Sequence, residues 1–180
     1  MNKLVIFHGS GGTSEDHWFP SLHKYFAEHG WQVTAPDFPN SGTPNLDEWL
    51  EAAQSLDLDE ETVLVAHSLG CPFVMSLLER STAKVKKAVL VAGLYDESRF
   101  PDLDFLQAEY DWSKIKTNCD EFVFVHSTND PWNCDEQEAD LAFNKLGGTK
   151  IVMEGQGHFG SGAHNQVYLD FPLVTDLVKS

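Results

Sequence analysis

The sequence predicts an α/β protein: a doubly wound, mostly parallel sheet of about six strands with helices on both faces. Three observations predict it. Short apolar runs alternate with amphipathic stretches along all 180 residues, the pattern of successive βαβ units. The run Val63-Leu64-Val65-Ala66-His67 passes abruptly through Ser68-Leu69-Gly70 into a helical pattern, as a buried strand does when it feeds a helix across small residues. No segment is left over for a second domain, so residues 1–180 read as one domain with a sizeable core.

Each element has a local reason. Leu4 to His8 is an apolar first strand, followed by the flexible turn Gly9-Ser10-Gly11-Gly12. Asp16 is placed to cap a helix from about His17 to His29, which Gly30 ends. Trp31 to Ala35 is a second, edge strand, and Pro36 to Pro44 is a loop rich in Pro, Asn and Gly. Leu46, Trp49, Leu50 and Ala53 share one face of the next helix. Thr62 to His67 is the central strand and Leu69 to Arg80 its helix. Val85 to Ala92 is a further strand, followed by an irregular stretch, 93–118, that overlies the strand ends and is a candidate partial cover. Glu121 to Ser127, Glu136 to Leu146 and Thr149 to Met153 read as strand, helix and strand. A closing helix spans Val167 to Lys179.

Composition narrows the function classes. The formal net charge is −16, spread through Glu15-Asp16, Asp57 to Glu61 and Asp135 to Asp140. Phosphate-rich partners would be repelled, so neither nucleic acid nor an anionic membrane surface is an expected partner. The apolar run at Leu4 to Phe7 is too short for a signal peptide, and no stretch approaches the length of a membrane span. Cys71, Cys119 and Cys134 are an odd number at wide spacing, which reads as reduced thiols in a cytoplasmic protein.

Ligands of a doubly wound sheet sit beyond the carboxyl ends of its strands, and three chemically capable residues fall there. Ser68 follows the central strand at the apex of a strand–turn–helix, the nucleophile elbow. Asp130 follows the fifth strand in Ser127-Thr128-Asn129-Asp130-Pro131. His158 follows the last strand in Gly155-Gln156-Gly157-His158-Phe159, where two glycines allow an unusual backbone path. A serine hydroxyl is a weak nucleophile without a neighbouring base, and that base needs an orienting acid. The order Ser68, Asp130, His158 supplies nucleophile, acid and base. Taken singly, Asp130 also fits a plain turn aspartate and Ser68 a helix cap. It is their coincidence on three strand ends that points to catalysis.

The backbone N–H groups of Leu69 and Ser10 are the expected oxyanion donors, with Gly11 the alternative to Ser10. A phosphate loop is disfavoured, because neither Gly-Lys-Ser/Thr nor GxGxxG spacing is present. His67 is expected to position the site without serving as the base, and His8 to shape the first turn. No His-Glu-x-x-His spacing occurs, so neither a metal nor any other cofactor is expected. Trp18, Trp132, Phe159 and residues from Tyr95 to Trp112 are candidate pocket walls.

The chain resembles the small α/β-hydrolase family of retinoblastoma-binding protein 9 and its compact bacterial relatives. The likeness runs through His17-Trp18-Phe19-Pro20, Phe38-Pro39-Asn40, Ala66-His67-Ser68-Leu69-Gly70-Cys71-Pro72, Ser127-Thr128-Asn129-Asp130-Pro131 and Gly157-His158-Phe159. It implies a compact, lidless or nearly lidless α/β-hydrolase fold with Ser68, Asp130 and His158 as the triad. Ala66 stands where glycine is commoner in the elbow. The pocket-binding pattern Leu-x-Cys-x-Glu is absent; the nearest string, Leu56 to Glu60, has Leu58 in place of the cysteine, so no retinoblastoma-type partner is expected. The resulting expectation is a serine hydrolase of small esters or amides. The rival readings are a binding or scaffolding protein on the same fold with incidental catalysis, and a hydrolase-fold enzyme of different chemistry.

Overall fold

The computed structural model describes residues 1–180. Along the chain come β1 (Lys3–Phe7), α1 (Phe19–Glu28), β2 (Gln32–Thr34), α2 (Leu46–Ala52), β3 (Thr62–His67) and α3 (Gly70–Arg80). They are followed by β4 (Val85–Val91), α4 (Trp112–Thr117), β5 (Cys119–Ser127), α5 (Glu136–Leu146), β6 (Thr149–Met153) and α6 (Pro172–Lys179). All strand pairs are parallel, in the order β2-β1-β3-β4-β5-β6. It is a compact α/β-hydrolase fold.

That order reverses direction once, between β1 and β3. Right-handed crossovers then place α1 on one face, and α2, α3, α4 and α5 on the other. The contacts agree: α2 to α5 touch in succession, whereas α1 packs on β1 and β2 and α6 on β4. Phe7, Ala66, Leu90, Phe124 and Lys150 are consecutive partners across β1, β3, β4, β5 and β6. The carboxyl ends of the strands therefore form one staggered rim.

Sealed under helices on both faces, β3 and β4 consist almost wholly of buried residues, which is why they read as unbroken apolar runs. Phe7, Phe38, Trp49 and Phe73 form a stacked and edge-on aromatic cluster that joins β1, α2 and α3. At the far end of the sheet, the buried Lys87 donates to Leu177 O and Ser180 Oγ, holding the last turn of α6 to β4. No helix is long and apolar enough to cross a membrane.

Three elements depart from the sequence expectations. α1 starts at Phe19, not at His17, because His17 has φ +53 and breaks the helical path. Asp16 does not cap that helix; its Oδ2 accepts from Thr13 N and Thr13 Oγ1 instead. α6 begins only at Pro172: a proline at the first turn is tolerated, but the residue before it avoids helical geometry, and Phe171 lies at φ −140. The stretch 93–118 is not wholly irregular. It contains α4, capped by the Asp111 side chain accepting from Lys114 N.

Candidate active site

The turn between β3 and α3 is built by close approach. Ser68 has φ +54, a left-handed conformation costly for a residue with a Cβ. Its backbone is clamped on both sides: Ser68 N donates to Val91 O at 2.9 Å, and Cys71 N donates to Ser68 O at 2.9 Å. A Cβ on Gly70 would fall 2.7 Å from His8 O and 2.8 Å from Phe7 O, so only glycine lets α3 start this near β1. A Cβ on Gly9 would lie 2.8 Å from Ser68 Cβ. Ala66, two residues before the serine, is fully buried, and its methyl is accommodated in the core.

Asp130 and His158 come from the loops after β5 and β6, and they meet. His158 Nδ1 donates to Asp130 Oδ2 at 2.7 Å, with both side chains almost sealed from solvent. Asp130 is itself aimed by Trp132 N, which donates to Oδ1 at 2.8 Å. Asn129 Oδ1 accepts from Ser127 Oγ at 2.9 Å and from Gly157 N at 2.7 Å, fastening the two loops together. Gln166 fixes the backbone of the histidine loop: Oε1 accepts from His158 N at 2.8 Å and Nε2 donates to Gln156 O at 2.6 Å. Its amide fills the space where a side chain on Gly157, at φ +59, would stand. His67 Nε2 donates to His158 O at 2.7 Å, and Trp18 Nε1 donates to Phe159 O at 3.0 Å. His67 thus steadies the main chain of the histidine loop. His8 shapes the first turn, its Nδ1 donating to Gly9 O and its Nε2 accepting from Phe38 N.

Ser68 and His158 line the same cavity, about 800 Å³ in volume, together with Ser10 and Leu69. No hydrogen bond joins Ser68 Oγ to the His158 ring in this structure. Gly11 N is engaged, donating to Ser41 O at 2.6 Å, whereas the N–H groups of Ser10 and Leu69 have no protein acceptor. Trp132 is 47% exposed and forms part of the cavity wall, as expected. Trp18 and Phe159 do not; both are fully buried in the core. From the stretch 93–118, the wall is made by Leu94 and by Arg99 to Leu103, while Tyr95, Phe105 and Tyr110 face inward to the core. Trp112 packs against that core and is likewise no wall residue.

The wall segment is tied down by charge. Glu138 of α5, 1% exposed, accepts from Tyr95 N and Asp96 N and pairs with Arg99 at 2.6 Å; Arg99 also forks onto Asp135. Burial raises the Glu138 carboxyl above its ordinary value, against the lowering effect of those donors. Hydrogen bonding to Asp135 raises the Arg99 guanidinium. Burial also drives His67 well below the usual histidine range and His126 down to about 4, so both are neutral at pH 7. Asp130, Cys134 and His158 offer donor atoms within 4.8 Å of one another. As a metal site the set is poor: Asp130 Oδ2 and His158 Nδ1 hold each other, and burial keeps the Cys134 thiol protonated.

Sequence reasoning missed the supports: Ser127, Asn129, Gln166 and the Arg99–Glu138 pair. Asn129, in a turn motif next to Asp130, carried a weak signal. Gln166 carried none.

Comparison with known proteins gives a consistent family. A family model described as serine hydrolase matches residues 4–179. YdeN of Bacillus subtilis is 30% identical over 189 aligned positions, covering 100% of this chain and 96% of that protein. Serine hydrolase RBBP9 of Rattus norvegicus is 29% identical, covering 87% of each. The crystal structure of the Bacillus subtilis ydeN product superposes with a TM-score of 0.88 at 28% identity, over 99% of this chain and 97% of that one. Est1E of Butyrivibrio proteoclasticus, solved with ferulic acid bound, has a TM-score of 0.69 at 16% identity over 99% and 87%, a likeness of fold.

Proposed function

Because this chain belongs to the serine hydrolase family, we propose that it cleaves small esters or amides through an acyl-enzyme formed on Ser68, with His158 as base and Asp130 as orienting acid. The observation that carries this reading is the buried 2.7 Å contact between Asp130 Oδ2 and His158 Nδ1, on a loop whose histidine shares a cavity with Ser68. With Nδ1 committed to a carboxylate, the neutral ring keeps its proton there and leaves Nε2 free to accept the serine proton. Catalytic hydrogen bonds are often long before substrate arrives, so the lack of a Ser68–His158 hydrogen bond fits a resting enzyme.

In the first step Ser68 Oγ attacks the carbonyl carbon while His158 Nε2 takes the hydroxyl proton. The imidazolium then gives that proton to the departing alkoxide or amine as the carbonyl re-forms. In the second, His158 draws a proton from water as that water attacks the acyl carbon. The acyl–Oγ bond then breaks, the imidazolium returns the proton to Ser68 Oγ, and the carboxylic acid leaves. Asp130 stabilises the imidazolium and holds the tautomer. The uncommitted amides of Ser10 and Leu69 bind the oxyanion, each contributing about 3 kcal/mol in comparable sites. Gly11 is a poor donor for that task because its N–H already serves Ser41.

Turnover of p-nitrophenyl acetate tests the assignment. Asp130→Asn is expected to lower kcat by roughly 10²- to 10⁴-fold with an unchanged melting profile, and His158→Ala by at least as much. Undiminished turnover in Asp130→Asn would mean that another group orients the base.

A further inference from the structure

The motif His17-Trp18-Phe19-Pro20 contains one side chain that this chemistry leaves without a task. Trp18 and Phe19 are core residues and Pro20 opens α1. His17 differs from all three. Its imidazole is half-buried, stands on the cavity wall, and makes no hydrogen bond to any protein group. His8 engages both ring nitrogens and His67 one of them with backbone groups, whereas His17 engages neither.

The fold goes to some length to hold the ring where it is. His17 sits at φ +53, a conformation disfavoured for any residue with a Cβ. The opposing loop yields to it at Gly160, φ +121, where an added Cβ would fall 2.5 Å from His17 Cγ. The rings of Phe19 and His67, 6.4 and 5.9 Å away by centroid, pack edge-on against it. Burial lowers its pKa despite the opposing pull of Asp16, so at neutral pH it presents one N–H donor and one bare nitrogen. Held at the cavity wall with no protein partner, the ring is placed to meet a ligand.

Resting on the assignment of Ser68 as nucleophile, we propose that His17 is a substrate-contacting, specificity-determining residue. Its ring hydrogen-bonds an oxygen of the substrate beyond the scissile carbonyl, so the preferred esters are oxygenated ones, bearing a hydroxyl, ether or keto group, rather than plain alkyl esters. An apolar analogue strips water from His17 without replacing it, and is rejected for that reason.

Isosteric pairs that differ by one oxygen test this on each side of the bond: p-nitrophenyl methoxyacetate against p-nitrophenyl butyrate, and 2-methoxyethyl butyrate against n-butyl butyrate. The variants are His17→Gly and His17→Asn, whose new residues tolerate the left-handed backbone. Each kcat/KM ratio in the wild type is compared with that in the variants, which cancels intrinsic reactivity. We expect the preference for the oxygenated member of one pair to fall about fivefold to tenfold in both variants, chiefly through KM. Unchanged ratios for both pairs, with Ser68 still labelled by a fluorophosphonate, would remove the role of His17 alone. Failure of wild-type Ser68 to label would take down the underlying reaction, and this proposal with it.

Discussion

At the scale of single residues, Gly70 decides how the elbow is built. Two carbonyls of the β1 end crowd the place of its missing Cβ, and neither can move without dragging a buried strand. Gly70→Ala should therefore destabilise the protein by about 2 kcal/mol or more, read as a lower urea midpoint, and slow acylation of Ser68. A variant as stable as wild type would show that α3 has room to slide. Ser68, Asp130 and His158 were legible in the sequence because each follows an apolar run by a few residues, so the topology had to deliver all three to one rim. His17 was not legible as a helix breaker. Only the positive φ of the folded chain distinguishes it from a first helical residue after Asp16, and that φ comes from its fit against Gly160 on a loop far along the sequence.

At the scale of elements, strands and long helices followed from apolar periodicity: β3, α5 and β6 lie where the sequence placed them, residue for residue. α4 escaped notice because six residues offer too short a period, although Asp111 and the two lysines of its last turn are ordinary end signals. The closing helix is shorter than the span Val167 to Lys179: α6 begins at Pro172, and Val167 and Leu169 before it are exposed. The histidine loop could not be read at all beyond its glycines, since its shape depends on Gln166 reaching back to His158 N and Gln156 O. Gln166→Ala would leave those groups unpaired and let His158 drift. The expected outcome is a loss of roughly tenfold or more in kcat with little change in KM, measured on p-nitrophenyl acetate. Equal activity would show that Asp130 and His67 suffice to hold the base.

At the scale of the whole molecule, two neutral histidines are sealed into the rim, and acid must weaken the fold. His126, held near 4, and His67, also lowered, bind protons more readily when unfolded, so stability rises with pH across the window between about 4 and the ordinary histidine value of 6.5. His126 alone contributes on the order of 3 kcal/mol that is fully present above pH 6.5 and lost as pH falls to about 4. Melting temperature should drop steeply over that range in the wild type and less steeply in His126→Gln; equal slopes would place the acid sensitivity elsewhere. The larger claim is that one reversal of strand order brings the ends of β1, β3, β5 and β6 together to make a single hydroxyl reactive. Its most direct measurement is intact-mass analysis with peptide mapping after exposure to a fluorophosphonate. One adduct per chain is expected, on Ser68, absent from Ser68→Ala and strongly slowed in His158→Ala. An adduct on any other residue, or one that survives Ser68→Ala, would contradict it.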